Sequence, residues 1–402
     1  MDITIFPGFL SGTIAAMASK SQAHRLLILA ALADRPMTLY CPEISRDMEA
    51  TARCLNALGA DISTNSQGFS VNPIQKISKT AILDCGESGS TLRFLLPLAG
   101  ALGVDATFQM AGRLPQRPLS PLWEEMEAKG CTLSRPTPNT IRCQGRLIPG
   151  TYRLRGDVSS QFVTGLLLAF AVMEGPSTLE LTSPLESKPY VDMTLAALER
   201  FFARIRAGED RFQVTPAPLT APERLWVEGD WSNAAFWLGA KSLGSTVDVT
   251  NLDPSSPQGD RAVVSILPRL GGGCVVDCRD IPDLVPILAV VAATKEGTTC
   301  FTGAARLRLK ESDRISTVCN LVNALGGHAR ETADGLVVDG GAFTGGTVDA
   351  AGDHRIAMAA AIAATVCAAP VTVLGAECVT KSYPSFWEDY EKLGGRYEQH
   401  LR

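Results

Sequence analysis

Asp283 in RDIPDLVP and Glu311 in LKESDR are acids set among bases, the second flanked by Lys310 and Arg314. A carboxylate in such company works as a general base or acid, or it pairs with its neighbours, and sequence alone leaves both readings open. More cations and small polar residues open apolar segments: Lys20, Ser21 and Arg25; Gly89, Ser90 and Arg93; Ser159, Ser160 and Gln161; Asp353, His354 and Arg355. Others stand in short polar stretches, Arg113 and Arg117 in GRLPQRPL, Lys188 in SKPY and Lys381 in KSYP. Arg grips carboxylate or phosphate with two parallel hydrogen bonds, and Lys adds a point charge that exchanges a proton when neighbours depress its pKa. If these groups meet in one dry place, their repulsion must be offset by bound anions. The chemistry that follows is acid–base work on a small phosphorylated or carboxylated substrate.

Other chemistries lack their signatures. There is no GxxxxGK[ST] loop and no GxGxxG after a strand, so nucleotide and dinucleotide cofactors find no support and none is expected. There is no GxSxG elbow, and no Cys has a His at a recognisable spacing. Eleven cysteines contain no CxxC pair and four histidines are scattered, so the thiols read as reduced and structural and no metal is expected. With 37 Lys and Arg against 42 Asp and Glu, the net charge of −5 offers no global basic field for nucleic acid or an anionic membrane. The opening MDITIFPGFLSGTIAAMASK is broken by Pro7, Gly8 and Gly12, unlike a signal peptide, and apolar runs fall short of the roughly 18–20 residues that span a bilayer. A cytoplasmic protein is expected.

The elements that would position these residues repeat. Six nearly all-apolar helices are expected, at SKSQAHRLLILAALA, ESGSTLRFLLPLAGALG, VSSQFVTGLLLAFAV, WSNAAFWLGAKSLG, PDLVPILAVVAAT and HRIAMAAAIAATV. Being apolar on every face, they must be buried. Six amphipathic segments alternate with them: DMEATARCLNALGAD, LSPLWEEMEAKGC, VDMTLAALERFFARI, DRAVVSILPRLGGGC, ESDRISTVCNLVNALGGHA and YPSFWEDYEKLGGRY. Most of these close on a Gly, as a helix C-cap requires, and all should lie on the surface. Branched stretches such as MTLYC, TLELT, STVDVT, CVVDC, TTCFTG, GLVVDG and PVTVLG read as strands. A solenoid unit of about 20–50 residues usually carries one or two elements. Here the unit is larger, so two globular domains of three units each are favoured. A helix N-terminus attracts anions, which places the polar openings where the substrate should sit.

Taken together, the motifs resemble the 5-enolpyruvylshikimate-3-phosphate synthase family across nearly the whole chain: SKSQAHRLLILAAL, CGESGSTLRF, GRLPQRPLSPL, GDVSSQFVTGLLLA, SKPYVDMT, EGDWSNAAFWL, IPDLVPILAV, LRLKESDRI, GDHRIAMA and KSYPSFWEDYEKLGG, in order. The resemblance implies an α/β (α+β) fold, a two-domain inverse α/β barrel of six βαβαββ units, with buried helices pointing their N-termini to an interdomain cleft. One domain would comprise 1–19 and 229–402, the phosphoenolpyruvate and acid–base side; the other, 20–228, would be the shikimate 3-phosphate side. It also implies that shikimate 3-phosphate meets Ser21, Arg25, Ser159, Ser160, Ser187, Asp283 and Lys310. Phosphoenolpyruvate would meet Lys20, Gly89, Arg117, Gln161, Arg314, Arg355 and Lys381. In the family reaction the 5-hydroxyl adds to C2 of phosphoenolpyruvate as C3 is protonated, and the tetrahedral intermediate then loses phosphate. Asp283 would take the hydroxyl proton, with Lys20 also counted among the catalytic groups. Glu311 and Lys381 would share proton transfer at C3 and at the leaving phosphate, in an order left open. Small molecules are the expected partners, with no nucleic acid or membrane, and a monomer is expected.

Departures from the family pattern are Glu87 for a common Asn, His24 for a common Asn, Arg306 for a common Asn, Met17-Ala18 for a common Pro-Gly, and a short stretch at Ile205–Phe212 where a strand pair is expected. Glu87 should turn outward or pair with a base, while His24 and Arg306 could alter substrate hydrogen bonding. The alternatives weighed are a UDP-N-acetylglucosamine enolpyruvyl transferase and a catalytically inactive binding relative. The first usually carries a Cys before an Arg-Pro pair, and GRLPQRPL has none; the second should have lost Lys20, Asp283, Glu311, Arg314, Arg355 or Lys381, and all are present.

Overall fold

A computed structural model describes residues 1–400. The chain forms two compact units, one of Met1–Met17 with the chain from Glu228 onward, the other of Ala18–Val227.

In the unit 18–227, three four-stranded sheets share one plan. Thr80–Asp84 lies parallel to Asp105–Gln109, which pairs antiparallel with Thr140–Gly145, and that in turn with Cys131–Ser134. The same order recurs for Thr151–Leu154, Ser177–Leu181, Arg211–Thr215 and Arg204–Ala207. It recurs again for Arg224–Trp226, Met37–Tyr40, Gly68–Asn72 and Asp61–Asn65. Parallel neighbours need a crossover, which the apolar helices Gly89–Leu102 and Ser160–Phe170 supply in the first two sheets; the outer antiparallel pair of each sheet needs only a turn. The stretch at Ile205–Phe212 is therefore a complete hairpin, turning through Gly208–Asp210.

The other unit has two sheets of this plan and one abbreviated one. Cys274–Asp277, Thr298–Thr302, Leu336–Asp339 and His328–Glu331 form the first. Gly346–Asp349, Val371–Leu374, Asp2–Phe6 and Arg396–His400 form the second, which ties the first strand of the chain to the last. The third has only Thr246–Thr250 beside Ser11–Ala15. Six repeats are thus present, but this one has no hairpin. Its expected amphipathic helix is broken into Gly259–Ala262, Val263–Ile266 and Leu267–Arg269, with Pro268 inside it. After Leu270 the chain passes through three glycines directly into Cys274–Asp277, leaving no branched stretch from which two more strands could form.

The apolar helices lie where their composition requires. Lys20–Ala31, Gly89–Leu102 and Ser160–Phe170 are buried in one unit, and Trp231–Ser242, Val285–Ala292 and His354–Ala364 in the other. All eleven residues of His354–Ala364 are buried, and each buried Ile or Met there stabilises the fold by about 1.5–3 kcal/mol relative to exposure. Close helix contacts depend on missing side chains: a Cβ on Gly165 would stand 2.9 Å from Pro97 Cγ and collide with the Arg93 carbonyl. Five of the six carry a side-chain N-cap, from Ser19, Ser88, Ser159, Asp230 and Asp353. The sixth enters through a 3-10 turn, Pro282–Leu284, which carries Asp283. No described helix is long and apolar enough to cross a membrane.

Candidate active site

In the unit containing residues 228–400, the openings of two buried helices and one amphipathic helix bring five charged groups together around Arg314. That side chain begins the helix Arg314–Ala324 but is 1% exposed, so its helix is not a plain surface helix at this end. Its guanidinium has three carboxylate partners: Nη1 to Asp283 Oδ1 at 2.7 Å, Nη2 to Glu311 Oε2 at 2.7 Å, and Nε to Asp353 Oδ2 at 2.8 Å. Arg355 Nη2 donates to the other oxygen of Asp283 at 2.9 Å, and Lys310 Nζ lies 3.7 Å from Oδ1. Ser312 Oγ donates to Asp353 Oδ2 at 2.9 Å, and Asp353 Oδ1 accepts from the backbone N–H of Arg355. Asp353 thus caps one helix while anchoring the first residue of another.

The electrostatics follow from burial and partners. Burial opposes the Arg314 charge, but Asp353, Glu311 and Asp283 outweigh it and hold the guanidinium protonated well above its ordinary range. Burial likewise opposes the Asp353 carboxylate, and Arg314 and His354 overcome it, so Asp353 stays below the usual carboxylate range. Asp283 is left with cations at both oxygens and some exposure to solvent. Lys381 ends the 3-10 segment Ala376–Lys381 and donates to the Gly352 carbonyl at 3.0 Å, one residue before Asp353.

In the unit 18–227 the remaining sequence-derived residues fall on three helix starts and two loops. Lys20 Nζ pairs with Asp47 Oδ2 at 2.8 Å, and Ser21 follows it at the helix start. Arg25 is buried, with Nε on Thr194 Oγ1 at 2.8 Å, Nη2 on the Tyr190 carbonyl at 2.8 Å and Nη1 on the Ser21 carbonyl. Burial lowers its pKa to about 9, with Tyr190 opposing. It therefore also joins the helix Lys20–Ala31 to the helix Lys188–Arg200. Gly89 is pressed by two cations, since a Cβ there would lie 2.7 Å from Arg117 Nη1 and 2.8 Å from Arg93 Nη1. Gln161 completes this group, accepting from Arg93 Nη1 at 3.1 Å and donating to Ser90 Oγ at 3.0 Å. Two guanidiniums at an uncluttered helix N-terminus make a cradle for an anionic oxygen. Ser159 caps the next helix, Ser160 begins it, and Ser187 holds a left-handed backbone (φ 55°, ψ 40°) at the entry to Lys188–Arg200. A non-glycine residue in that region costs about 1–3 kcal/mol and tends to mark functional sites.

The unusual residues also have places. His24 Nδ1 lies 2.7 Å from Thr51 Oγ1, which lies 2.7 Å from Thr91 Oγ1, and Thr91 donates to Ser88 Oγ at 2.7 Å. This chain of hydroxyls fastens three helix starts. Burial, then Lys20 and Arg25, drives the His24 pKa well down, so the ring is neutral. Glu87 is exposed and its carboxylate packs on Gly112 in the loop that carries Arg113 and Arg117. Arg306 donates to the Arg279 carbonyl at 3.0 Å. Asp47, Asp260 and Thr194 were not singled out from sequence. Asp47 and Asp260 look like ordinary acids at a helix start, and Thr194 is one of many small polar residues on an amphipathic helix.

The chain has known relatives. The family model for EPSP synthase (3-phosphoshikimate 1-carboxyvinyltransferase) matches residues 6–276 and 272–390. The 3-phosphoshikimate 1-carboxyvinyltransferase of Clostridium kluyveri is 40% identical over 420 residues, covering 99% of this chain and 98% of that protein. That of Clostridium acetobutylicum is 40% identical over 416 residues, covering 98% and 97%. Among solved structures, EPSP synthase from Acinetobacter baumannii superposes with a TM-score of 0.81 at 22% identity, covering 99% of this chain and 100% of that one. The enolpyruvyl transferase NikO from Streptomyces tendae gives 0.77 at 20% identity, covering 100% and 99%. The structural likeness speaks for the fold, and the sequence match over almost the full length speaks for more: the chain belongs to the EPSP synthase family.

Proposed function

We propose that this protein transfers the enolpyruvyl group of phosphoenolpyruvate to the 5-hydroxyl of shikimate 3-phosphate and releases phosphate. The observation that carries the reading is Asp283, held at both oxygens by Arg314 and Arg355 with Lys310 nearby, in a chain 40% identical to proteins named for that reaction. Asp283 takes the hydroxyl proton as the oxygen bonds to C2 of phosphoenolpyruvate, and C3 gains a proton. The tetrahedral intermediate then returns a proton from C3 and expels phosphate. Glu311 and Lys381 carry the proton traffic at C3 and at the leaving group. Lys20, Arg117 and Gln161 address the phosphate of phosphoenolpyruvate beside Gly89, while Arg314, Arg355 and Lys381 address its carboxylate. Ser159, Ser160 and Ser187 hold the phosphate of shikimate 3-phosphate, Ser21 and Arg25 its carboxylate, and Lys310 a hydroxyl. The unit from residue 228 onward, with the N-terminal strands, is the acid–base side, and 18–227 provides most of the shikimate 3-phosphate contacts. The protein works as a cytoplasmic monomer on these two small molecules.

The test is phosphate release from phosphoenolpyruvate by the purified protein with shikimate 3-phosphate, with UDP-N-acetylglucosamine, or with no acceptor. Release confined to shikimate 3-phosphate is expected; release only with the sugar nucleotide, or with neither, overturns the reading. Asp283→Ala and Lys381→Ala should each collapse turnover with an unchanged circular dichroism spectrum. A near-normal rate in either removes that residue from the mechanism.

A further inference from the structure

Asp260 is a second buried acid beside the Asp283 centre, and no step above uses it. It sits on the 3-10 turn Gly259–Ala262, packed against the helix Trp231–Ser242. Its side chain is 3% exposed; Oδ2 accepts from Ser232 Oγ, and Oδ1 is buried without a hydrogen-bond partner among the described residues. The helix Trp231–Ser242 also packs on the turn Pro282–Leu284 and on the helix His354–Ala364, and three charged groups of these elements act on Asp260: Asp283 on that turn, Arg355 at the start of His354–Ala364, and Asp230 at the cap of Trp231–Ser242. A buried carboxyl with one hydrogen bond and no close ion pair is costly, and in a native protein such a group calls for a reason.

Arg355 couples the two acids. Its Nη2 donates to Asp283 at 2.9 Å, and its charge also acts on Asp260. We propose that Asp260 is a positioning residue of the reaction, its own gain or loss of a proton setting how firmly Arg355 holds Asp283 and so how readily Asp283 accepts the proton of the acceptor hydroxyl. This rests on Asp283 being the base of the proposed enolpyruvyl transfer. While Asp260 is neutral, the Arg355 charge serves Asp283 alone and Asp283 is the weaker base. Once Asp260 ionises, it competes for Arg355 and repels the Asp283 carboxylate, which then binds a proton more readily. Burial first, and Asp283 second, push the Asp260 pKa up to about 7, with Ser232 and Arg355 opposing, so the change falls in the working range. The two steps belong to the pair rather than to either acid. Asp260 exchanges no atom with the substrate.

The experiment compares the parent protein with Asp260→Asn and Ser232→Ala in phosphate release from phosphoenolpyruvate and shikimate 3-phosphate between pH 5 and pH 9. The parent should show a rise in kcat through neutrality. Asp260→Asn, locked neutral, should lose that rise, fall several-fold behind the parent at high pH, and match it at low pH, with both KM values little changed. Ser232→Ala removes a hydrogen bond that favours the ionised form, so the rise should move to higher pH. An Asp260→Asn profile that keeps the inflection, or that is lowered equally at every pH, overturns the proposal, since the second result is what a merely structural residue gives. A readout independent of turnover is the carboxyl carbon resonance of Asp283 in protein labelled with carbon-13 aspartate and assigned with Asp283→Asn. It should show a titration step near neutrality in the parent and none in Asp260→Asn. If that step is present while the parent releases no phosphate with shikimate 3-phosphate, the coupling stands and the functional reading fails. If the step is missing from the parent, the proposal fails whatever the substrate.

Discussion

Arg314 reaches Asp283 from a position that is 1% exposed, its Nη1 lying 2.7 Å from Asp283 Oδ1. The same guanidinium also holds Glu311 and the fully buried Asp353, so one cation orients two candidate catalytic acids and the cap of the helix that carries Arg355. A lysine's three N–H donors leave one nitrogen, so it cannot span three acids that Arg314 meets through three separate nitrogens. Arg314→Gln should therefore leave buried carboxylates without compensation and destabilise the protein by about 3–5 kcal/mol. Arg314→Lys should be milder in stability and still severe in turnover. Urea titration of both variants checks this, and an Arg314→Gln midpoint equal to the parent's would show that the network is not structural.

Gly165 bears on the other group of site residues. It lies in the helix that begins with Ser160 and Gln161, and its Cα faces the Arg93 carbonyl and Pro97 of the helix that begins with Gly89. Gly165→Ala forces the two helices apart. A cost of about 1–3 kcal/mol is typical of overpacking, and the Arg93–Gln161 hydrogen bond at 3.1 Å should lengthen. The expected result is a lower melting temperature together with a raised KM for phosphoenolpyruvate. A variant with parental melting and KM would mean that the helices are not held at that distance.

Phe202 shows how the repeat can be used to find a weak point. Three amphipathic helices end in the same hydrogen-bond pattern around a left-handed Gly: Gly59, Gly326 and Gly394, at φ 117°, 88° and 90°. The helix Lys188–Arg200 ends with the corresponding bonds, Phe202 N–H to the Glu199 carbonyl and Ala203 N–H to the Leu198 carbonyl, but with Phe202 at φ 58° and 68% exposed. Its ring gains little from burial and its Cβ strains the backbone. Phe202→Gly should stabilise the protein by about 0.5–1 kcal/mol, the left-handed strain removed less the extra freedom of the unfolded chain. Thermal or urea unfolding of Phe202→Gly measures this directly, and a loss of stability would show that the ring packs more than its exposure implies.

What was legible in the sequence was the repeat and its polar openings, because an all-apolar helix and a glycine stop are local signals. The strands at Val371–Leu374 and Thr298–Thr302 lie where their branched residues indicate, and Lys20, Gly89, Ser159, Asp283 and Arg355 all stand at helix starts or just before them. The missing hairpin of one repeat was less visible, since an absence between Leu270 and Cys274 has no signature of its own. Nor could the partners of Arg25 and Arg314 be read. Thr194 is 169 residues from Arg25, and Asp353 is 39 from Arg314, so only the tertiary fold brings them together. Asp260 was hidden for the same reason: a carboxylate next to Gly259 in SSPQGDRAV is an ordinary solvated acid until folding buries it.

That burial gives a stability signature of its own. With an ordinary Asp pKa of 3.8 when unfolded and one of about 7 when folded, Asp260 holds a proton in the native state that the unfolded chain has released. Between those values the native state binds more protons, so the Asp260 contribution to stability is undiminished below about pH 4 and is lost as pH rises towards 7. The sign is opposite to that of Asp353, whose depressed pKa favours the folded state as pH rises and is lost only in acid. Subtracting the parent from Asp260→Asn isolates the first effect. The variant should match the parent near pH 4 and melt at progressively higher temperature than the parent up to about pH 7, with a constant difference above that. Calorimetric melting across this range is the measurement. A difference that does not change with pH would mean that Asp260 titrates alike in the folded and unfolded chain.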